Sequence, residues 1–232
     1  MAELIVALDL PAGPEALRLL DRLPEARWVK VGSILMTREG PELVRVLTDR
    51  GLRVFLDLKW HDIPNTVAEA VTSAAALGVA MATVHTLGGS AMMEAAAAAA
   101  AADGRVGLVG VTVLTSHDPA GYARAVGRPR VDLAAEVERQ SGEAVRAGLR
   151  GVVCSPQEVA RVREAVGPDA WIVVPGIRGR SEERGDQVRV ATAGEAVAAG
   201  ATHLVVGRPI LRAADPAAAF RGLLEEARCI GS

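Results

Sequence analysis

The sequence predicts an α/β fold, a closed (β/α)8 TIM barrel that forms a single domain over 1–232. Three observations predict it. Short β-branched runs alternate with longer Ala/Leu/Glu/Arg segments, and eight such pairs fit within the 232 residues. Half of the residues are hydrophobic but only 3% are aromatic, so the core is built from Val, Leu, Ile and Ala, which suits buried parallel strands under helices. The length is usual for one barrel, and no linker, domain boundary or longer repeat breaks the alternation.

In chain order, strand 3–8 is followed by helix 14–22, strand 28–32 by helix 38–50, and strand 53–57 by helix 64–77. Strand 81–85 leads to helix 89–102, strand 106–113 to helix 132–147, and strand 150–154 to helix 156–166. Strand 171–175 precedes helix 193–199, and strand 202–206 precedes helix 214–227. Gly51, Gly78, Gly148 and Gly200 each follow a helical segment, where a left-handed C-cap belongs. Thr37 and Ser155 occupy expected N-cap positions, and Pro156 suits a first helical residue. The alanine run at 95–102 reads as a tightly packed barrel helix.

Composition narrows the function. A net charge of −2 and a pI near 6.1 offer no basic face for nucleic acid. The opening MAELIVALDL has no basic region and reads as a strand rather than a signal peptide. No stretch reaches the roughly 18 apolar residues of a membrane span. Cys154 and Cys229 lie outside any metal-type spacing, and a reducing cytoplasm is expected. The chain carries 26 cationic residues of which only Lys30 and Lys59 are lysines. A coding bias toward Arg explains the arginines and singles out the lysines, because Lys can give up a proton and Arg cannot.

A barrel places its chemistry at the C-terminal ends of the strands. Those ends carry Asp9, Lys30, the run Asp57-Leu58-Lys59-Trp60-His61-Asp62, His85-Thr86, Thr115-Ser116, Pro175-Gly176-Ile177-Arg178 and Gly207-Arg208. On a strand, residues 57 and 59 project to one side, so Asp57 and Lys59 would enter the barrel mouth together. A flanking carboxylate keeps Lys59 protonated, and a positioned ammonium can protonate a carbanion. With Lys30 and Asp62, two cations and two anions would alternate. A structural ion-pair network that only orients the loop fits the same spacing. Gly176, Gly207 and Arg208 follow strands 7 and 8, where this fold often binds phosphate. The long polar segment 176–192 reads as a lid, with Arg178 and Gln187 as its ligand residues. His61, His85 and His203 form no metal set and read as core or surface histidines.

The run from Asp57 to Thr66 resembles the D-x-K-x-x-D-I-P-x-T signature of the orotidine 5'-monophosphate decarboxylase family. Ala7-Leu8-Asp9, Lys30-Val31-Gly32, Leu114-Thr115-Ser116, Pro175 to Arg178, Gln187 and Val206 to Pro209 fit the same family in order, across essentially the whole chain. The resemblance implies cofactor-free, metal-free conversion of orotidine 5'-monophosphate to UMP in pyrimidine biosynthesis, in the cytoplasm and by a homodimer. It implies that Lys59 is the proton donor, anchored by Asp57, and that Asp62 and Thr66 reach the partner's site. Asp9 and Lys30 would hold the ribose, and Thr115 and Ser116 the pyrimidine. Gln187, Arg178, Arg208 and the Gly207 backbone would hold phosphate. Two other readings stand beside it. A sister barrel enzyme acting on sugar phosphates through a magnesium-stabilised enediolate also carries Asp-x-Lys-x-x-Asp, and a non-catalytic phosphate-binding barrel would keep Arg208 and the glycines.

Overall fold

Strand side chains alternate between two faces, and here the alternation sorts hydrophobes from chemistry. In the computed structural model, which describes residues 2–178 and 191–228, eight parallel strands close into a barrel in sequence order. They are β1 (Glu3–Ala7), β2 (Trp28–Gly32), β3 (Arg53–Trp60), β4 (Met81–His85), β5 (Gly107–Val111), β6 (Gly151–Val153), β7 (Trp171–Val174) and β8 (His203–Val206). Ile5, Ala7, Trp28, Phe55, Met81, Val109, Val173 and Val205 pack together as the barrel interior. Their neighbours Leu4, Val6, Val29, Val54, Leu56, Ala82, Leu108, Val152, Ile172 and Leu204 join the larger core under the helices. Burial of each large apolar side chain in these layers contributes about 1.5–3 kcal/mol.

The interior files of β1 to β4 begin hydrophobic and end polar. Two residues beyond Ala7, Trp28, Phe55 and Met81 stand Asp9, Lys30, Asp57 and Thr83. Parallel pairing aligns Ala7 with Lys30 and Gly32 with Asp57, which brings these polar ends to one mouth. At the opposite end, His203 is buried between Trp28 and Trp171, with ring centroids 5.3 and 5.0 Å away.

The helical layer follows the expected order with some differences. The helices are α1 (Gly13–Asp21), α2 (Ser33–Glu39), α3 (Pro41–Asp49), α4 (Pro64–Ala76), α5 (Ser90–Asp103) and α6 (Pro119–Ala125). They continue with α7 (Leu133–Arg146), α8 (Val159–Val166), α9 (Ala193–Ala198), α10 (Arg208–Leu211) and α11 (Pro216–Arg228). The single helix expected over 38–50 is two. Gly40 at φ 68° ends α2 and Pro41 opens α3, so the Gly-Pro pair acts as a break. Thr37 is therefore inside α2 rather than at an N-cap. Ser155 does cap its helical turn, in a capping box with Glu158. Short helices α6 and α10 were not foreseen; Asp118 caps the first by accepting the Gly121 N–H at 2.6 Å. The alanine helix α5 buries Met92, Ala96 and Ala100 along one face and packs on α4, α7 and β5.

Candidate active site

A cavity of about 940 Å³ opens at the C-terminal mouth of the barrel. Four charged groups run along its β1 to β3 arc. Lys30 Nζ donates to Asp9 Oδ1 at 2.9 Å and lies 3.6 Å from Asp57 Oδ2. Lys59 Nζ donates to the other oxygen, Asp57 Oδ1, at 2.8 Å. The signs alternate from Asp9 through Lys30 and Asp57 to Lys59, so each inner charge lies between two opposite ones. The Lys30 and Asp57 side chains are only 11% and 14% exposed, so water screens this pairing little. Opposite unit charges 4 Å apart attract by about 4 kcal/mol at an effective dielectric of 20, before the cost of desolvation. Lys59 remains 39% exposed, which leaves its ammonium open to a ligand in the cavity.

Local backbone geometry makes this arrangement. Gly32 leaves room for Lys30, because a Cβ there would come within 3.0 Å of Lys30 Nζ. Regular strand geometry was expected to carry Lys59 beside Asp57, but the strand is irregular at this point. The β3–β4 register passes from Leu56 opposite Ala82 to Trp60 opposite Val84. Within the irregularity Lys59 adopts φ 53°, and it is the one non-glycine residue at positive φ among the described residues. Such a backbone costs on the order of 1–2 kcal/mol and persists only where neighbours hold it. Thr83 is one of them: its Oγ1 accepts the Lys59 N–H at 2.8 Å and lies 3.2 Å from Asp57 Oδ1.

Arginines gather on the adjoining arc. Arg178, Gly176, Gly207, Arg208 and Arg212 all line the cavity. Gly176 takes φ 82°, which turns the chain after Pro175. Arg178 is buried and donates to the carbonyl of Ile177 at 3.1 Å. Its own N–H bonds to the Ala191 carbonyl at 3.0 Å, and Ile177 pairs with Ala191, so the two ends of the long β7–α9 connection are tied together. Gln187, expected on this connection, lies outside the described residues.

The remaining expected residues divide. Thr115 lines the cavity, in a turn closed by the His117 N–H and the Leu114 carbonyl at 3.0 Å. Ser116 is the next residue of that turn and is exposed, outside the cavity wall. Asp62 and Thr66 are both exposed and form no part of the wall of their own chain's cavity. Asp62 Oδ1 accepts the Ile63 N–H at 2.7 Å, and among the described residues it makes no ion pair. Beside Lys59, the rings of His61 and His85 stack with centroids 5.6 Å apart. Burial, with His61 and Lys59 nearby, lowers the His85 pKa to about 4, so the ring is neutral near pH 7. Among the described residues no three His, Cys, Asp or Glu side chains converge as a metal-binding set.

Two contributors were not read from the sequence. Thr83 carried a signal, since it follows Met81 by two residues and so lies in the interior file. Arg212 carried one only with α10 recognised, because it follows Arg208 by one helical turn.

Comparison with known proteins points the same way. Residues 2–223 match the orotidine 5'-phosphate decarboxylase / HUMPS family. The orotidine 5'-phosphate decarboxylase of Halorhodospira halophila is 52% identical over 232 residues, covering 98% of this chain and 97% of that protein. That of Alkalilimnicola ehrlichii is 53% identical over 227 residues, covering 97% and 96%. The crystal structure of orotidine 5'-phosphate decarboxylase from Lactobacillus acidophilus superposes with a TM-score of 0.88 at 36% identity, over 99% of this chain and all of that one.

Proposed function

Because the chain belongs to the orotidine 5'-phosphate decarboxylase / HUMPS family, we propose that it decarboxylates orotidine 5'-monophosphate to UMP in pyrimidine biosynthesis, with Lys59 as the proton donor. The observation that carries this reading is the alternating chain Asp9–Lys30–Asp57–Lys59 in the wall of a cavity whose other arc presents Arg178 and Arg208.

The chemistry asks for this layout. The bond from ring carbon 6 to the carboxylate breaks, carbon dioxide leaves, and the electron pair stays on carbon 6 in the plane of the ring. The ring π system cannot spread that charge, so fixed charges of the protein must stabilise it. In this reading the Lys59 ammonium, which lines the cavity, does so and then passes its proton to carbon 6, forming the new C–H bond. Solvent returns a proton to the resulting amine. Asp57 pairs with Lys59 and orients it, and its own negative charge disfavours the substrate carboxylate relative to the departing neutral product. Asp9 and Lys30 hold the ribose hydroxyls, and Thr115 with Ser116 meets the pyrimidine. Arg178, Arg208, the Gly207 backbone and Gln187 hold the phosphate, whose binding energy supports a closed and desolvated site.

The site is completed by a second copy of the chain, with Asp62 and Thr66 reaching the partner's cavity. Two features support this. Both residues are exposed and apart from their own cavity. Four large apolar side chains, Ile34, Ile63, Leu87 and Leu114, are exposed after the consecutive strands β2 to β5. No helix of the described residues is long and apolar enough to cross a membrane, and a cytoplasmic location suits a pathway of small soluble substrates.

The magnesium-enediolate alternative needs carboxylates available to a cation, whereas Asp9 and Asp57 are both engaged by lysine ammoniums. Loss of orotidine 5'-monophosphate, followed by ultraviolet absorbance with excess chelator, tests the proposal. Turnover that survives the chelator and is abolished in Lys59→Ala is expected. A folded wild type without turnover would overturn the decarboxylase assignment, and magnesium-dependent turnover of a sugar-acid phosphate, lost to the chelator, would favour the enediolate enzyme.

A further inference from the structure

We propose that Thr83 is a positioning residue of this site, holding Asp57 and Lys59 in register through its buried hydroxyl; the inference rests on the function proposed above. Thr83 is fully buried on β4 and is not part of the cavity wall. It is placed by the β3 irregularity. Between the pairs Leu56–Ala82 and Trp60–Val84, residues 57 to 59 of β3 lie opposite Thr83 alone. Three residues facing one cannot keep the regular ladder, and a side chain takes its place.

The direction of each hydrogen bond follows from the groups. The Lys59 backbone N–H only donates, so Thr83 Oγ1 accepts it at 2.8 Å. An ionised carboxylate only accepts, so the hydroxyl proton goes to Asp57 Oδ1 at 3.2 Å. The same Asp57 oxygen receives Lys59 Nζ at 2.8 Å. The result is a closed ring from the Lys59 amide through Thr83 and Asp57 back to the Lys59 ammonium. It holds both ends of Lys59, and it supports the φ of 53°. It also sets the rotation of the Asp57 carboxylate, so that Oδ1 meets Lys59 while Oδ2 faces Lys30.

Removal of the hydroxyl opens this ring and leaves the rest of the wall in place. Lys59 then relaxes away from the left-handed backbone, and its ammonium moves relative to the reacting carbon. Displacements of about 1 Å at a reacting group cost up to about a hundredfold in rate. The described groups proposed for phosphate and ribose follow β1, β2, β7 and β8, whereas the Thr83 hydroxyl bonds to Lys59 and Asp57. The rate constant should therefore fall while affinity for UMP holds.

The test compares wild type with Thr83→Val, Thr83→Ala and Thr83→Ser, reading orotidine 5'-monophosphate turnover and UMP binding by calorimetry. Val and Ala should lose about 10- to 100-fold in kcat, with the UMP Kd unchanged to within about threefold. Ser should restore kcat to within about threefold of wild type. Ser and Ala differ by one oxygen, so this pair decides the matter even if Val does not fold. Equal kcat in Ala and Ser would overturn the proposal, as would a parallel loss of kcat and UMP affinity in both. A folded wild type with no turnover would overturn the decarboxylase reading itself, and this role with it; differences among variants on an active wild type bear on Thr83 only.

Discussion

Lys59 Nζ meets Asp57 Oδ1 at 2.8 Å across a left-handed backbone turn, so the pair forms by a route that a regular strand does not provide. The consequence is an ammonium aimed into the cavity from a strained and supported position.

Charge alone should not replace Lys59. Arg keeps its proton at ordinary pH and presents a planar fork in place of a point charge. Lys59→Arg should lower kcat by about 10²- to 10⁴-fold, the usual worth of a positioned general acid. Steady-state turnover checks this. Activity within tenfold of wild type would show that the cation is required and its proton is not.

Arg208 should act mainly through binding. Arg208 lines the cavity beside Gly207, where a phosphate would accept hydrogen bonds from its guanidinium. Arg208→Ala should reduce kcat/KM by about 10- to 100-fold, the loss of one to two charged hydrogen bonds. The kinetics of the variant at saturating and limiting substrate provide the check. An unchanged kcat/KM would place the phosphate elsewhere.

The proposed completion of each site by a second copy of the chain makes an arithmetic prediction. In an equal mixture of Lys59→Ala and Asp62→Ala chains, half of the random dimers are mixed, and each mixed dimer rebuilds one intact site. Activity should recover to about a quarter of wild type on mixing, although each variant alone is nearly inactive. No recovery after verified exchange would mean that Asp62 serves its own chain.

Acid should weaken the bottom of the barrel through His203. Burial, with Arg53 nearby, lowers its pKa to about 4 from 6.5. The unfolded chain then binds a proton between pH 6.5 and 4 that the folded chain refuses, so stability is full above 6.5 and falls with pH down to about 4. The loss is about 3 kcal/mol from this group. His85, also lowered to about 4, adds in the same direction. Thermal unfolding across this range should show a shallower acid slope for His203→Phe than for wild type. Parallel slopes would overturn the assignment.

Much of this was legible because barrels are locally encoded. Alternation of β-branched and Ala-rich segments marks each βα unit, and glycines at helix ends mark the joins. Period-2 strand geometry then places residues such as Asp9, Lys30 and Asp57 two positions beyond buried hydrophobes. The scarcity of lysine drew attention to Lys30 and Lys59 before any contact was known. The break at Gly40-Pro41 was also written locally, though a helical period running through it concealed the boundary.

By itself, the sequence determined the architecture, the mouth at which chemistry collects and the identity of the charged groups there. Only the tertiary structure decided how those groups meet. The pairing of Lys30 with both Asp9 and Asp57 depends on the register among three strands. The left-handed Lys59 and the part played by Thr83 depend on a bulge that forms only where β3 packs on β4. The exposure of Asp62 and Thr66 away from their own cavity depends on where the loop after β3 emerges. The physical reason is range: strand and helix periods are set by neighbours a few residues apart, whereas these contacts join residues 21 to 27 positions apart and exist only once the barrel closes.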